Sequence, residues 1–255
     1  MSKPMSRSRS ITTVVELIAV ALALYGLAGA PASDARVNTA TQEPKFEMGT
    51  FYVDLLVKTP KLGTEQPAEV QKIRQAHLKH IETLAANGKL VVAGPFVDTG
   101  RFAGLAVVTA SSAEEAKSFE EADPLVKAGL MSVEVLKWWA AKGIMKPPQG
   151  PINPSEMTTY YFGLISRGPK WTAERTPEAE KLQGDHMANI NKLAKEGKLV
   201  IAGPFENAGN YAGVFVFKVA SLEEAKALAE TDPAVKAGRL TVDVHPWMVP
   251  RGSLP

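Results

Sequence analysis

Two histidines and two aspartates hold the chemistry this sequence could perform. His77 opens the run HLKHIETLAANGKLVVAGPF, which ends at Phe96, and His186 opens the matching run HMANINKLAKEGKLVIAGPF, which ends at Phe205. Asp123 opens DPLVKAG and Asp232 opens DPAVKAG. The two copies of each lie 109 residues apart, as do Pro60-Lys61 and Pro169-Lys170, and Trp138 and Trp247, with no insertion between them. A carboxylate beside an imidazole orients the ring, fixes its tautomer and raises its basicity, which gives a general acid or base usable near neutral pH. The candidate catalytic groups are therefore His77 with Asp123, and His186 with Asp232.

Each group also has a plainer role. A histidine on an apolar helical stripe needs a hydrogen-bond partner and can be purely structural. An aspartate followed by proline is a standard N-cap, here for a short turn closed by Gly129 or Gly238. Both aspartate roles coexist only if one carboxylate oxygen is left to face the ring. Gly94-Pro95-Phe96 and Gly203-Pro204-Phe205 either let a ligand approach the backbone or simply shape a strand edge. Lys61 and Lys170, and Lys127 and Lys236, either hold a substrate carboxylate or are solvated. His77 and His80 have the i, i+3 spacing of a helical metal site, but the second copy offers only His186 and Asn189, so no metal is expected. Cysteine is absent, which excludes disulfides, zinc thiolates, thiol nucleophiles and covalently attached haem. No cofactor is expected.

The elements that must position these groups are readable in each copy. Phe51 to Lys58 is a β-branched and aromatic run ended by Thr59-Pro60, hence a strand. Pro67 to Asn87 puts Val70, Ile73, His77, Ile81 and Leu84 on one helical stripe, with Gly88 as its stop. Lys89 to Val97 and Phe102 to Thr109 read as a hairpin around Asp98-Thr99-Gly100-Arg101. Ser112 with Glu115 is a capping box that opens a second helix, repeated by Ser221 with Glu224, and Asp123-Pro124 ends that helix. Met131 to Trp138 is the last strand. The order strand, helix, strand, strand, helix, strand predicts an α+β fold: a four-stranded antiparallel sheet with both helices on one face. The other face is apolar, and a second copy can cover it. The expected architecture is two tandem ferredoxin-like domains whose sheets pack as an intramolecular pseudo-dimeric α/β barrel.

The motif order, a helix-borne histidine, then GKL with GP, then EEA, then DP with AG, then a terminal tryptophan, resembles the YCII-related (YciI-like) domain family. The resemblance runs over Phe51 to Trp138 and again over Tyr160 to Trp247. It implies a dimeric α/β barrel and a site built around a histidine and an aspartate, which fall on His77 with Asp123 and on His186 with Asp232. It implies no settled reaction, although one branch of the family resembles chloromuconolactone dehalogenases. The copies are not identical. Asp54 stands against Gly163, His80 against Asn189, Arg101 against Asn210, and Leu136 against His245.

The N-terminus is a separate matter. Lys3, Arg7 and Arg9 precede an apolar stretch from Ile11 to Ala30 and a run of small residues, the pattern of a secretory signal cleaved after Ala32, with Ala35 second. The alternative is an uncleaved anchor, for which the uncharged run is short. Removing the signal takes three of the 29 basic and one of the 27 acidic side chains, so the mature chain carries 26 of each. A neutral chain gives no electrostatic case for nucleic acid or for an anionic membrane. The expected organisation is a signal at 1–32, a polar tether at 33–48, domains at 49–141 and 158–250, and a proline-rich linker at 142–157 between them. These features predict an exported monomer, periplasmic or secreted, with an unidentified small-molecule partner. It is either a cofactorless isomerase, lyase or dehalogenase-like enzyme or a non-catalytic binding module.

Overall fold

The computed structural model describes residues 47–255 apart from 65, 149 and 151, so the expected signal peptide and nearly all of the tether lie outside the described residues. In the first repeat β1 (Met48–Lys58), α1 (Pro67–Ala86), β2 (Leu90–Pro95), β3 (Phe102–Val108), α2 (Ala113–Glu121), the single turn α3 (Pro124–Lys127) and β4 (Met131–Ala141) follow in order. The second repeat adds β5 (Met157–Arg167), α4 (Pro177–Lys195), β6 (Leu199–Glu206), β7 (Tyr211–Phe217), α5 (Leu222–Glu230), the turn α6 (Pro233–Lys236) and β8 (Leu240–Pro250).

Local chemistry sets the ends of these elements. Gly88 (φ +67°) stops α1 in a Schellman motif, in which the N–H of Lys89 bonds Leu84 O at 2.9 Å and that of Gly88 bonds Ala85 O at 3.0 Å. Gly197 (φ +69°) ends α4 through the same pair of bonds, to Leu193 and Ala194. The Ser112 hydroxyl accepts the Glu115 N–H at 3.2 Å, but the Glu115 carboxylate reaches past Ser112 to the N–H and hydroxyl of Ser111. The capping box is thus present in its first half and shifted by one residue in its second. Ser221 and Glu224 repeat this, with Ala220 as the outer partner.

All strand pairs are antiparallel, and the strand order is β2-β3-β1-β4-β6-β7-β5-β8. The two four-stranded sheets therefore join edge to edge through β4 and β6. Trp247 of β8 closes the circuit by bridging Phe96 just beyond β2. Trp138 pairs with Phe205 at the first seam, as Trp247 does with Phe96 at the second, so the joints are related by the repeat offset. Their strengths differ for a covalent reason. Lys137 pairs with Glu206 in a short ladder, whereas its counterpart in β8 is Pro246, which has no N–H and can only accept, from Val97 at 3.1 Å.

Strand alternation sorts the side chains. Phe51, Val53 and Leu55 of β1 point into a barrel interior shared with Trp138, Phe162 and Trp247, while Tyr52 and Leu56 face the helices. That interior is built from both repeats, and neither sheet's inner face is left exposed. Gly94 and Gly203 serve the seams. A Cβ on Gly94 would lie 1.7 Å from Met248 O, and one on Gly203 would lie 2.5 Å from Trp139 O. The Gly-Pro-Phe segments thus shape the strand edges, and each also lines a cavity of its repeat, so neither of the two roles open to them is set aside.

Candidate functional site

The histidines stand outside the barrel, between the sheet and the helices. Val70, Ile73, Ile81 and Leu84 pack toward the sheet and carry His77 with them on the same face of α1. The ring meets Asp123, which sits where α2 ends and α3 begins. Proline at N1 holds Asp123 in an extended conformation (φ −63°, ψ 132°), and its Oδ1 accepts the Leu125 N–H at 2.7 Å as a helix cap. The other oxygen remains for the ring, and His77 Nδ1–H donates to Asp123 Oδ2 at 2.5 Å. Repeat two is built alike: Asp232 Oδ1 accepts the Ala234 N–H at 2.9 Å, and His186 Nδ1–H donates to Asp232 Oδ2 at 2.7 Å. Cap and ring anchor are thus two oxygens of one fully buried carboxylate. This arrangement fixes the tautomer, and the second ring nitrogen, Nε2, has no hydrogen-bond partner among the described residues.

Each histidine lines a cavity. The one beside His77 measures about 580 Å³ and is walled mainly by apolar residues of α1, β2 and β3, with Lys58 and Arg74 as its other basic groups and, among the described residues, no acid. The one beside His186, about 640 Å³, is more polar and is lined among others by Arg167, Arg175, Arg239, Glu174 and Glu180. Volumes of this size suit small organic ligands. Arg167 lies over the Trp171 ring at 4.1 Å. Arg101 reaches from repeat one to Glu134 and to the hydroxyl of Tyr211 on the rim of the second cavity.

The remaining sequence candidates fall elsewhere. His80 Nε2–H donates to Phe119 O at 2.9 Å, so that ring ties α1 to α2. Asn189, in its place in repeat two, lies 3.4 Å from Asp232 Oδ2. Lys61 Nζ donates to Ala128 O at 2.8 Å, where it satisfies the C-terminus of α3.

Two further groups were not recognised as functional candidates from the sequence. Asp54 on β1 and Glu120 on α2 are both buried, at 0% and 1% exposure. None of their four oxygens meets a donor on any other described residue, and the two carboxyls face each other closely enough for a proton on one to be shared with the other. Burial, with the Glu120 charge second, pushes the Asp54 carboxyl up to about 9. Burial, with the Asp123 charge second, pushes Glu120 up to about 7, against the opposing pull of His77. The Asp54/Gly163 mismatch was a visible signal; its partner mismatch, Glu120 against Ala229, is evident only once α2 is laid on β1. The other group lies at the second seam. His245 Nδ1–H donates to Asp98 Oδ2 at 2.7 Å across the repeats, its ring stacks on Phe96, and its Nε2 is 3.1 Å from Asp243 Oδ2.

Comparison with known proteins agrees with this architecture. The family model of the YCII-related domain matches residues 50–139 and again 163–248, together more than half of the chain. The uncharacterized protein YjpA of Bacillus subtilis (strain 168) is 32% identical over 76 residues, 28% of this chain and 87% of that protein. Among solved structures, a variant of chlorite dismutase from Candidatus Nitrospira defluvii superposes with a TM-score of 0.53 at 14% identity, covering 80% of this chain and 92% of the other. That likeness concerns the dimeric α/β barrel fold. The 5-chloro-2-hydroxyhydroquinone dehydrochlorinase of Burkholderia phenoliruptrix AC1100 aligns with 33% of this chain and 89% of its own, at 29% identity and a TM-score of 0.27.

Proposed function

Since the chain belongs to the YCII-related domain family and carries the domain twice, we propose that it is a small-molecule acid–base protein in which His77, and in principle His186, moves a proton on a carbonyl or lactone substrate without a cofactor. One observation supports this above the others. In each repeat the aspartate spends one oxygen on its helix cap and the other on histidine Nδ1, which leaves Nε2 as the free ring nitrogen of a residue that lines a ligand-sized cavity. A neutral imidazole held in that tautomer presents a lone pair to the cavity, accepts a proton there, and returns it as the imidazolium that the carboxylate stabilises.

The test is exchange of carbon-bound hydrogen for deuterium in D₂O across a panel of small carbonyl and lactone compounds, read by NMR. His77→Ala and His186→Ala should each abolish the exchange catalysed by their own repeat, a loss of about 10²-fold or more, while the circular dichroism of the folded chain is unchanged. Exchange no faster than the buffer blank across the panel, or equal exchange in the double variant, overturns the reading.

A further inference from the structure

Behind the His77–Asp123 pair lies the Asp54–Glu120 carboxyl pair, for which the fold itself gives no reason. Burying two acids without donors is costly, and such groups normally neutralise by keeping a proton. Repeat two shows that the same backbone does without them. Gly163 and Ala229 stand in their places, and Phe215 occupies the position of Ala106, the residue directly across from Asp54 in the ladder. A Cβ on Gly163 would already meet Phe215 Cβ at 3.3 Å and Val242 Cγ1 at 2.9 Å, so the volume is filled by hydrocarbon. Repeat one keeps two acids where a ring would serve packing equally well.

The pair is adjacent to the site. The Asp123 N–H bonds the Glu120 carbonyl at 2.9 Å, so the acid that anchors His77 follows directly from the helix that carries Glu120. Two titratable groups outside the pair act on it, Asp123 at the start of α3 and His77 on α1; His80, also on α1, turns its ring to Phe119 O. Across Asp54 on the neighbouring strands stand only Ala106 and Val135.

We propose that Asp54 and Glu120 are positioning residues of the His77 site, a buried carboxyl pair that shares a proton and is coupled through Asp123 to the charge on His77, with no counterpart in repeat two. The inference rests on the acid–base reading above and deepens it: it assigns repeat one as the repeat whose imidazolium is backed by a second buried negative charge. With one proton between them, the two carboxyls add a single negative charge. The pair keeps its one proton throughout, and its single negative charge, added to that of Asp123, favours the imidazolium while His77 holds the substrate's proton and remains in place when His77 returns it. The His186 site, backed by Phe215 at a ring separation of 6.1 Å, has no such second charge.

A pH titration of the full chain by NMR tests this, following the carboxyl carbons of Asp54 and Glu120 and the ring of each histidine. At least one of the two carboxyls should titrate near or above neutrality. His77→Ala should move that titration to higher pH by roughly threefold or more in proton affinity, because the opposing positive charge is gone. Reciprocally, Glu120→Gln should displace the His77 curve and leave the His186 curve in place. If Glu120→Gln does not fold, the repeat-two solution D54G/A106F/E120A replaces it, with the same displacement expected. Ordinary carboxylate titrations for both acids, or a His77 curve identical in these variants, overturn the proposal. The titration reads coupling whether or not a substrate turns over, so its failure leaves the deuterium-exchange test standing, and the reverse is equally true.

Discussion

Asp123 and Asp232 show how one side chain can satisfy two demands that the sequence left in competition. Their motif, aspartate before proline, is explained in full by helix capping, and nothing in the spacing says where the second oxygen points. Only the approach of α1 supplies the histidine. The two roles can be separated by substitution. Asp123→Asn keeps an oxygen that can cap Leu125 but turns an N–H toward the ring, which must then accept at Nδ1 and carry its proton on Nε2. The expected outcome is a folded protein with the inverted His77 tautomer, seen in the ring ¹⁵N shifts, and with exchange at that site lost. Asp123→Ala removes both roles and should cost about 1–3 kcal/mol of unfolding free energy in denaturant titration, since it takes away a cap and the partner of a half-buried ring. A histidine that kept its tautomer in Asp123→Asn would mean that the carboxylate does not set it.

At the scale of elements, the order, type and approximate limits of strands and helices were legible because they depend on near neighbours: the β-branched and aromatic run of β1, the stripe of α1, Gly88, Ser112 and Asp123-Pro124. A second copy at a constant offset repeated every signal and so tested each one. Contacts between elements were legible only where the repeat demanded them. The sequence led to one barrel built from both sheets, which the structure has; what it did not show is which strands meet at the seams, β4 with β6 and Trp247 with Phe96, and there Gly94 and Gly203 matter. Gly94→Ala would drive a methyl group into the Met248 carbonyl at a closure that already lacks a ladder bond because of Pro246. The strands there must separate, and a loss of at least about 1–3 kcal/mol is expected from overpacking alone, with faster amide exchange at Val97. Gly88→Ala is the control, since it meets open space and is strained only by its positive φ, for about 1 kcal/mol. If Gly94→Ala were the milder of the two, the seam would not depend on that close approach. The Asp54–Glu120 pair marks the limit of such reading: Asp54 stands out as an acid inside the apolar run of β1, but Glu120 is one of several acids on α2, and nothing in the sequence says that it faces Asp54.

For the molecule as a whole, these buried charges set how stability depends on pH. Asp54 and Glu120 have raised values in the folded chain, from 3.8 to about 9 and from 4.5 to about 7, so the folded state binds more protons than the unfolded chain between those limits. Their stabilising contribution is complete below the unfolded values and is lost as pH rises through the folded ones. With one extra proton bound, that slope is about 1.4 kcal/mol per pH unit. Asp98 acts in the opposite sense. Its partial burial raises its value, but the hydrogen bond from His245, the Gly100 N–H and the Lys58 charge together bring it below 3.8, so its contribution is present above that value and lost only under stronger acid. The melting temperature should therefore peak on the acid side of neutrality and fall steadily toward alkaline pH. Both repeats build one interior, so a single transition is expected by calorimetry. D54G/A106F/E120A should flatten the alkaline limb and leave the acid limb unchanged, whereas Asp98→Asn should alter the acid limb alone. A wild-type profile flat from pH 5 to 9 would mean that the buried acids are balanced by charges elsewhere, and it would remove the energetic cost from which their role beside His77 is argued.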